Sequence, residues 1–458
     1  MLKLWNSATK TLETFKPIQP GHVGFYACGP TVYQRAHIGN LRVYVMEDLL
    51  RRTLASLERM DVRHVMNITD VGHLVGDGDV GEDKMEKGSR EQGKDAWTIA
   101  REYTELFLHD ITRLNILKPT VMPKATDHIA EQIELVRTLE EKGLTYKTSD
   151  GVYFDTSQFP AYGSFSGQKL DEKQEGARVE TNNEKKNPSD FALWKFSTAG
   201  EKRQMEWMSP WGVGFPGWHV ECSAMARKEL GQPFDLHAGG VDHIPVHHEN
   251  EIAQSVGAYG VPLANYWFHG EFLLVDNQKM SKSLKNDYSL DALTEKGIDP
   301  LAYRFFLLGA HYRTKQNFTW EAVEAAQSAL DRLRRAARGW DKPGSGDLEA
   351  EAAFQQAMED DLNTPKALAV LWSVVDGDAP TATKASTILW MDRILGLGLD
   401  EYVAKPLLIP VEIKELADRR WEAKKDRNWL EADQLRDELK KNGWEMEDGK
   451  EGYRLNKA

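Results

Sequence analysis

The stretch that decides the fold runs from Gly24 to Ile68, GFYACGPTVYQRAHIGNLRVYVMEDLLRRTLASLERMDVRHVMNI. Gly24-Phe-Tyr-Ala-Cys28 has the apolar and aromatic content of a short buried strand, and Gly29-Pro30 ends it. Leu41, Val45, Leu49 and Leu54 recur at helical spacing, which predicts a helix over 41–57. Val62 to Ile68 predicts a second strand. Strand, helix and strand within about forty residues is the length of a βαβ unit, whose two strands are parallel. Parallel sheets bind ligands beyond the C-terminal ends of their strands, where Cys28 and Thr69 fall.

Outward from this unit, residues 72–83 (GHLVGDGDVGED) are Gly- and Asp-rich and predict a loop. Helical pattern resumes over 95–115 and 127–142, and the polar stretch 165–190 predicts an exposed insertion. Strand-like and loop segments occupy 206–278. From 291 the pattern is almost wholly helical, interrupted at 342–347 and 376–382. Residues 411–458 form a final basic and acidic segment, with a small strand pair expected after Gly443. No internal repeat is present.

At 458 residues the chain needs two to four domains. Its 41% apolar and 28% charged residues exclude a disordered protein. No stretch approaches the roughly 20 apolar residues that span a bilayer, so no membrane is expected. The start, Met1-Leu-Lys-Leu-Trp-Asn-Ser, has no apolar run with a small-residue cleavage site, which predicts a cytoplasmic protein. A formal charge of −13 excludes a protein that coats nucleic acid through bulk charge, but leaves room for a local basic groove. Two cysteines make no disulfide framework.

Three constellations carry chemistry. His37-Ile-Gly-Asn40 lies between the first strand and its helix, where free N–H groups receive anions. Gly39 permits close approach, and His37 and Asn40 can donate to phosphate oxygens. Taken alone, the tetrapeptide is an ordinary helix start. Lys279-Met-Ser-Lys-Ser283 sets Lys279, Ser281 and Lys282 in a polar loop suited to a triphosphate, although a Lys-Ser cluster is more often a solvated turn. Val246-His-His-Glu-Asn-Glu251 follows Pro245, a favoured first helical residue. On a helix His247 and Glu251 share a face, while His248 and Glu249 point elsewhere. A histidine and a carboxylate at this spacing, with Cys28 and Cys222 as thiolates, suit a zinc ion.

The first two motifs together are the signature pair of class I aminoacyl-tRNA synthetases, which the chain resembles. It is similar, nearly end to end, to cysteinyl-tRNA synthetases. The similarity includes Tyr26-Ala-Cys-Gly-Pro-Thr-Val-Tyr33, Asn67-Ile-Thr-Asp70 and Pro188-Ser-Asp-Phe-Ala-Leu-Trp-Lys195. It continues through Gly217-Trp-His-Val-Glu-Cys-Ser-Ala-Met225, His247-His-Glu-Asn-Glu-Ile-Ala-Gln254, Arg304-Phe-Phe-Leu-Leu308 and Asp360-Asp-Leu-Asn-Thr-Pro365. The resemblance implies an α/β fold: a Rossmann-type parallel-sheet catalytic domain split by an insertion, then a helical bundle and a small C-terminal anticodon-binding domain. The expected divisions are 1–117 and 206–290 for the catalytic halves, 118–205 for the insertion, 291–403 for the bundle and 404–458 for the last domain.

The resemblance further implies one zinc ion per chain on Cys28, Cys222, His247 and Glu251, binding the thiolate of L-cysteine directly. Thr69, Trp218 and His237 fall at substrate-binding positions. His37, Gly39, Asn40, Lys279, Ser281 and Lys282 would bind ATP with Mg2+, with His37, Asn40, Lys279 and Lys282 stabilising the phosphoryl transition state. The acceptor would be tRNA(Cys) and the enzyme a monomer. Zinc selection answers a physical need, because shape alone separates cysteine poorly from serine.

Three departures stand out. Asn40 replaces the usual histidine, Lys285 replaces the glycine common after Lys-Met-Ser-Lys-Ser-Leu, and 72–82 looks inserted. A ligase joining cysteine to an amino-sugar would share the zinc and ATP core but has no need of residues 411–458. There Glu431-Ala-Asp-Gln-Leu-Arg-Asp437 matches the small domain set against the anticodon, and Arg427, Trp429 and Trp444 are candidate base contacts. The plainer expectation for all three is a place on a helix face or in a small core, and for Trp429 it is the preferred one. The remaining alternative is an inactive tRNA-binding relative with structural zinc; the intact lysines of the ATP loop oppose it.

Overall fold

A computed structural model describes residues 1–72, 83–167, 183–197, 203–449 and 452–457. A hairpin, β1 (Lys3–Asn6) and β2 (Thr11–Thr14), precedes the expected unit of β3 (His22–Ala27), α1 (Ile38–Ser56) and β4 (Asp61–Met66). β3 and β4 are parallel, with Phe25 opposite His64 and Ala27 opposite Met66. α1 buries Ile38, Leu41, Val45 and Leu49 against the sheet, which is why an apolar stripe recurs along it.

α2 (Lys84–Gln92) is a helix where none is expected, ahead of α3 (Ala96–Arg113) and α4 (Ile129–Glu141). Its sequence, KMEKGSREQ, has no apolar period. Its ends are defined by Asp83, which accepts the N–H groups of Met85 and Glu86, and by Gly93, which turns left-handed. Residues 73–82 of the inserted-looking loop lie outside the described residues.

The next strands are β5 (Thr145–Lys147), β6 (Gly151–Phe154), β7 (Phe191–Phe196), β8 (Trp207–Ser209) and β9 (Gly212–Pro216). They form one antiparallel sheet in the order β5-β6-β7-β9-β8, with Trp194 fully buried in β7. The sheet therefore runs past the expected end of the insertion at 205, because β9 pairs with β7. The middle of the polar stretch, 168–182, lies outside the described residues.

α5 (Trp218–Leu230) leads into β10 (Phe234–Gly240), and α6 (Glu249–Tyr259) into β11 (Ala264–Gly270). These strands complete a four-stranded sheet in the order β11-β10-β3-β4, parallel throughout. Every residue of β10 is buried, as expected of a central strand covered on both faces.

β12 (Leu273–Val275), β13 (Gln278–Lys279), α7 (Leu290–Glu295), α8 (Pro300–Leu308) and β14 (Gln316–Phe318) follow. β14, a strand inside the region expected to be helical, runs parallel to β12. The bundle comprises α9 (Trp320–Arg338), α10 (Leu348–Glu359), α11 (Thr364–Asp376) and α12 (Thr381–Leu395). One apolar core runs unbroken from Leu2 through α1 to Leu399, so sheet and bundle share an interior. Arg304 in α8 pins them together: fully buried, it donates to Asp48 of α1 at 2.6 Å, to Leu395 O at 2.7 Å and to Leu114 O at 2.9 Å.

α13 (Val411–Lys425), α14 (Trp429–Lys441), β15 (Trp444–Asp448) and β16 (Tyr453–Lys457) close the chain around a separate small core. The strand pair after Gly443 is present. Trp444, a candidate base contact, is instead a core residue at 4% exposed, whereas Trp429 lies on the helix face at the start of α14, 58% exposed.

Candidate metal centre and nucleotide cleft

Four elements converge at the C-terminal end of the parallel sheet. Cys28 follows β3 and is fixed by its N–H to Ala238 O at 3.1 Å, and Cys222 faces it from α5. His247 lies in a π-helical turn, Ile244–His248, and Glu251 in the first turn of α6. One ligand atom from each of Cys28, Cys222, His247 and Glu251 lies within 4.8 Å of the other three, and all four residues are buried. His247 Nε2 lies 2.9 Å from Glu251 Oε1.

The turn after Pro245 was expected to be α-helical, with His248 pointing away. The wider π turn keeps His247 beside Glu251 and also brings His248 inward, its Nε2 3.3 Å from Cys28 Sγ. His237, His248, Cys28 and Glu251 thus form a second close quartet. Glu249 does face elsewhere, toward the insertion.

Burial pushes the Cys28 thiol well up, and its contact with Cys222 pushes it further. The same contact lowers Cys222 against the effect of burial, so Cys222 is the first of the pair to ionise. Burial opposes charge on His247, but the Glu251 carboxylate outweighs it and pushes His247 up to about 10. Glu251 is held well below the carboxylate range by His237 and His247 despite burial. In the dry pocket the His247 imidazolium thus compensates the Glu251 carboxylate; a divalent cation would take over that role and displace protons from the imidazole and the thiols.

A second layer holds these donors. His219 and His247 place their Nδ1 atoms 2.9 Å apart, and His248 Nδ1 lies 2.7 Å from His269 Nε2. Trp218, half-buried, sets its ring 4.8 Å from that of His247. His237 Nε2 meets Glu251 Oε2 at 2.7 Å, and its ring stacks on Trp267. Thr69 donates to Glu221 Oε2 and accepts from Asn67, both at 3.0 Å. Trp218 and His237 thus touch the predicted ligands, and Thr69 reaches the residue preceding Cys222.

An open cleft of about 200 Å3 runs from Cys28 past Thr31, Tyr33 and Arg35 to Asn40 and Asp242. Asn40 explains its own presence: its side chain accepts the His37 N–H while His37 Nδ1 accepts the Asn40 N–H, a reciprocal cap on α1. Burial holds the His37 imidazole below its ordinary range. Gly39 faces Met280 so closely that a Cβ would overlap the methionine methyl. Ser281 N–H donates to Asn286 Oδ1 at 2.8 Å, and the Ser281 and Ser283 hydroxyls are 3.1 Å apart. Lys279 is exposed, its ammonium 5.6 Å from the Phe272 ring, and neither it nor Ser281 lines the cleft. The side chain of Lys282 lies outside the described residues. Lys285 has a φ of +51°, the left-handed region in which glycine is at ease.

Residues 14–328 match the family model for the catalytic domain of class I (C) tRNA synthetases, and 353–376 match the DALR domain. Over 455 residues the chain is 52% identical to cysteine--tRNA ligase 1 of Burkholderia lata, covering 99% of this chain and 96% of that one. It is 41% identical over 479 residues to the cysteine--tRNA ligase of Thermus thermophilus, covering 99% and 98%. The chain belongs to the cysteine--tRNA ligases. Solved class I folds agree. The Agrobacterium radiobacter K84 agnB2 LeuRS, in its ternary complex with tRNA and LeuAMS, superposes with a TM-score of 0.57 at 13% identity over 85% of each chain. Mycobacterium tuberculosis methionyl-tRNA synthetase with methionyl-adenylate gives 0.53 at 16% identity, over 84% of this chain and 92% of that one.

In this cysteine--tRNA ligase the sequence reading missed His248, Asp242 and Tyr26. Tyr26 is fully buried beside both cysteines, which raise its hydroxyl further after burial has done so. Its place before Cys28 on β3 was the available signal, since alternate residues of a strand share a face. Among the described residues no helix is long and apolar enough to cross a membrane.

Proposed function

We propose that this ligase activates L-cysteine with ATP and Mg2+, transfers it to the 3′ end of tRNA(Cys), and selects it through one zinc ion held by Cys28, Cys222, His247 and Glu251. The observation that carries the reading is that one cleft is lined both by Cys28 of the proposed metal quartet and by Asn40 of the proposed nucleotide loop. Two sulfurs, one imidazole and one carboxylate, buried and within 4.8 Å, fit a tetrahedral zinc. When bound, zinc supplies a soft ligand position that a thiolate fills far better than a serine hydroxyl does.

Trp218 and His237 border the bound side chain, and Thr69 lies beyond Glu221 at the edge of this pocket. The cysteine carboxylate oxygen attacks the α-phosphorus of ATP, the bond to the bridging oxygen breaks, and pyrophosphate leaves. His37, Gly39 and Asn40 at the N-terminus of α1 receive phosphate oxygens, and Lys279, Ser281 and Lys282 close on the leaving group. The terminal ribose hydroxyl of tRNA then attacks the acyl carbon and releases AMP. No residue forms a covalent intermediate; position and charge do the work.

Residues 404–458 meet the anticodon, with exposed Arg427 and Trp429 as base contacts. The enzyme acts as a monomer in the cytoplasm, with catalytic halves, insertion and bundle divided as the sequence suggests, except that β8 and β9 go with the insertion. ATP–pyrophosphate exchange tests the reading: it should depend on cysteine and be negligible with serine. Zinc-loaded protein active with neither would sink it, and charging of an amino-sugar instead of tRNA would change the acceptor.

A further inference from the structure

Glu249 and Asn250 directly follow the two histidines of the π turn, yet both serve one segment of the insertion. The Glu249 carboxylate, 1% exposed, accepts the N–H of Gly163 on Oε1 and that of Ser166 on Oε2, each at 2.8 Å. Asn250 Oδ1 accepts the Tyr162 hydroxyl at 2.6 Å. One carboxylate bonded to two amides of a short turn fixes the residues between them, and Gly163 takes a φ of +88° to allow it. Between them the turn presents Phe165. Its ring is buried 5.1 Å from Trp267 and 6.1 Å from His269, in the same apolar cluster as Cys28 and Cys222. Trp267 in turn stacks on His237 and His269 reaches His248, so the ring stands directly behind the second layer of the metal centre.

We infer that Glu249 is a positioning residue for amino-acid selection: it holds Phe165 against Trp267 and His269, which back the rear wall of the thiol pocket, and so limits the substrate to the length of cysteine. The inference rests on the zinc–thiolate reading of the site. A buried carboxylate suits the task because both oxygens are satisfied by N–H donors. Glutamine keeps the shape but turns one acceptor into a donor facing an N–H. The wall answers a question that zinc leaves open, because a soft metal accepts the thiolate of homocysteine as readily as that of cysteine. Only packing separates thiols that differ by one methylene.

The test is ATP–pyrophosphate exchange by the zinc-loaded full chain with cysteine and with homocysteine. Cysteine-dependent exchange by the wild type comes first; its absence would remove the zinc–thiolate reading and leave the positions of Glu249 and Phe165 untouched. Phe165→Ala should raise kcat/KM for homocysteine relative to cysteine by about tenfold, with zinc content unchanged. Glu249→Gln should move the same ratio in the same direction, raising KM for cysteine while KM for ATP stays within about twofold. An unchanged ratio in Phe165→Ala, or a uniform loss with both amino acids and ATP in Glu249→Gln, overturns the inference. If Glu249→Gln does not fold, Phe165→Ala decides alone, since it leaves all three hydrogen bonds of the clamp in place.

Discussion

Gly39 and Met280 lie so close that a single added carbon on the glycine would overlap the methionine methyl. The contact joins the first turn of α1 to the loop after β13, the two segments proposed to hold ATP. Met280 can swing aside, so Gly39→Ala should change unfolding free energy by less than about 1 kcal/mol. The displaced loop should lower exchange kcat by about tenfold, since small misplacements at a reacting centre are costly. Met280→Ala in the same chain should recover much of that loss; an additive double variant would show that the contact is incidental.

Cys222→Ser should weaken zinc retention and cysteine activation together. Loss of residues that merely support a metal ligand already costs about 10–100-fold, so loss of a ligand should cost about 100-fold or more. Metal content after dialysis against a chelator, measured beside exchange, checks this. A zinc-free variant with full activity would refute the metal's assigned role.

His64 in β4 is buried, stacks on Phe25 with ring centroids 4.5 Å apart, and neither ring nitrogen has a hydrogen-bond partner among the described residues. Burial holds it down to about 3. The unfolded chain therefore takes up this proton as pH falls through about 6.5, while the folded chain stays neutral until about 3. Stability is lost across that window, at up to about 1.4 kcal/mol per pH unit. His64→Leu should make the acid limb shallower and leave the trend above pH 7 unchanged. Urea unfolding at several pH values reads this directly, and parallel acid limbs would refute it.

The C-terminal tryptophans should separate cleanly. Trp444→Ala removes a core ring and should destabilise that unit by about 3–5 kcal/mol. Trp429→Ala should leave melting unchanged but raise KM for tRNA(Cys) by about tenfold, as loss of a base-stacking ring does. Cysteine-dependent exchange without tRNA should not move. An unchanged KM for tRNA would remove Trp429 from the interface.

The βαβ unit was legible because α1 and its strands follow the two simplest periods, and the convergence of Cys28, Cys222, His247 and Glu251 because scarce cysteines lay beside distinctive sequence. His248 was not legible, since spacing assumes α-helical geometry and Ile244–His248 is a π turn. α2 escaped because its ends, not its apolar pattern, define it. Trp444 was misplaced because its burial depends on which face of a small hairpin meets α13 and α14. Lys285 was noticed as a departure, but only its left-handed φ explains why glycine is common there. Lys285→Val should accordingly be less stable than Lys285→Gly by about 1–2 kcal/mol.

The buried Arg304 settles where the chain can be divided. A fragment ended at 403 keeps the arginine with Asp48, Leu114 and Leu395, and with them the whole interior that supports α1. A fragment ended at 290 would leave Asp48 buried with Arg52 as its remaining cation and strip the apolar floor from beneath the nucleotide loop. The helices that follow the parallel sheet in sequence are thus its foundation, and only α13, α14 and the last strand pair rest on a core of their own.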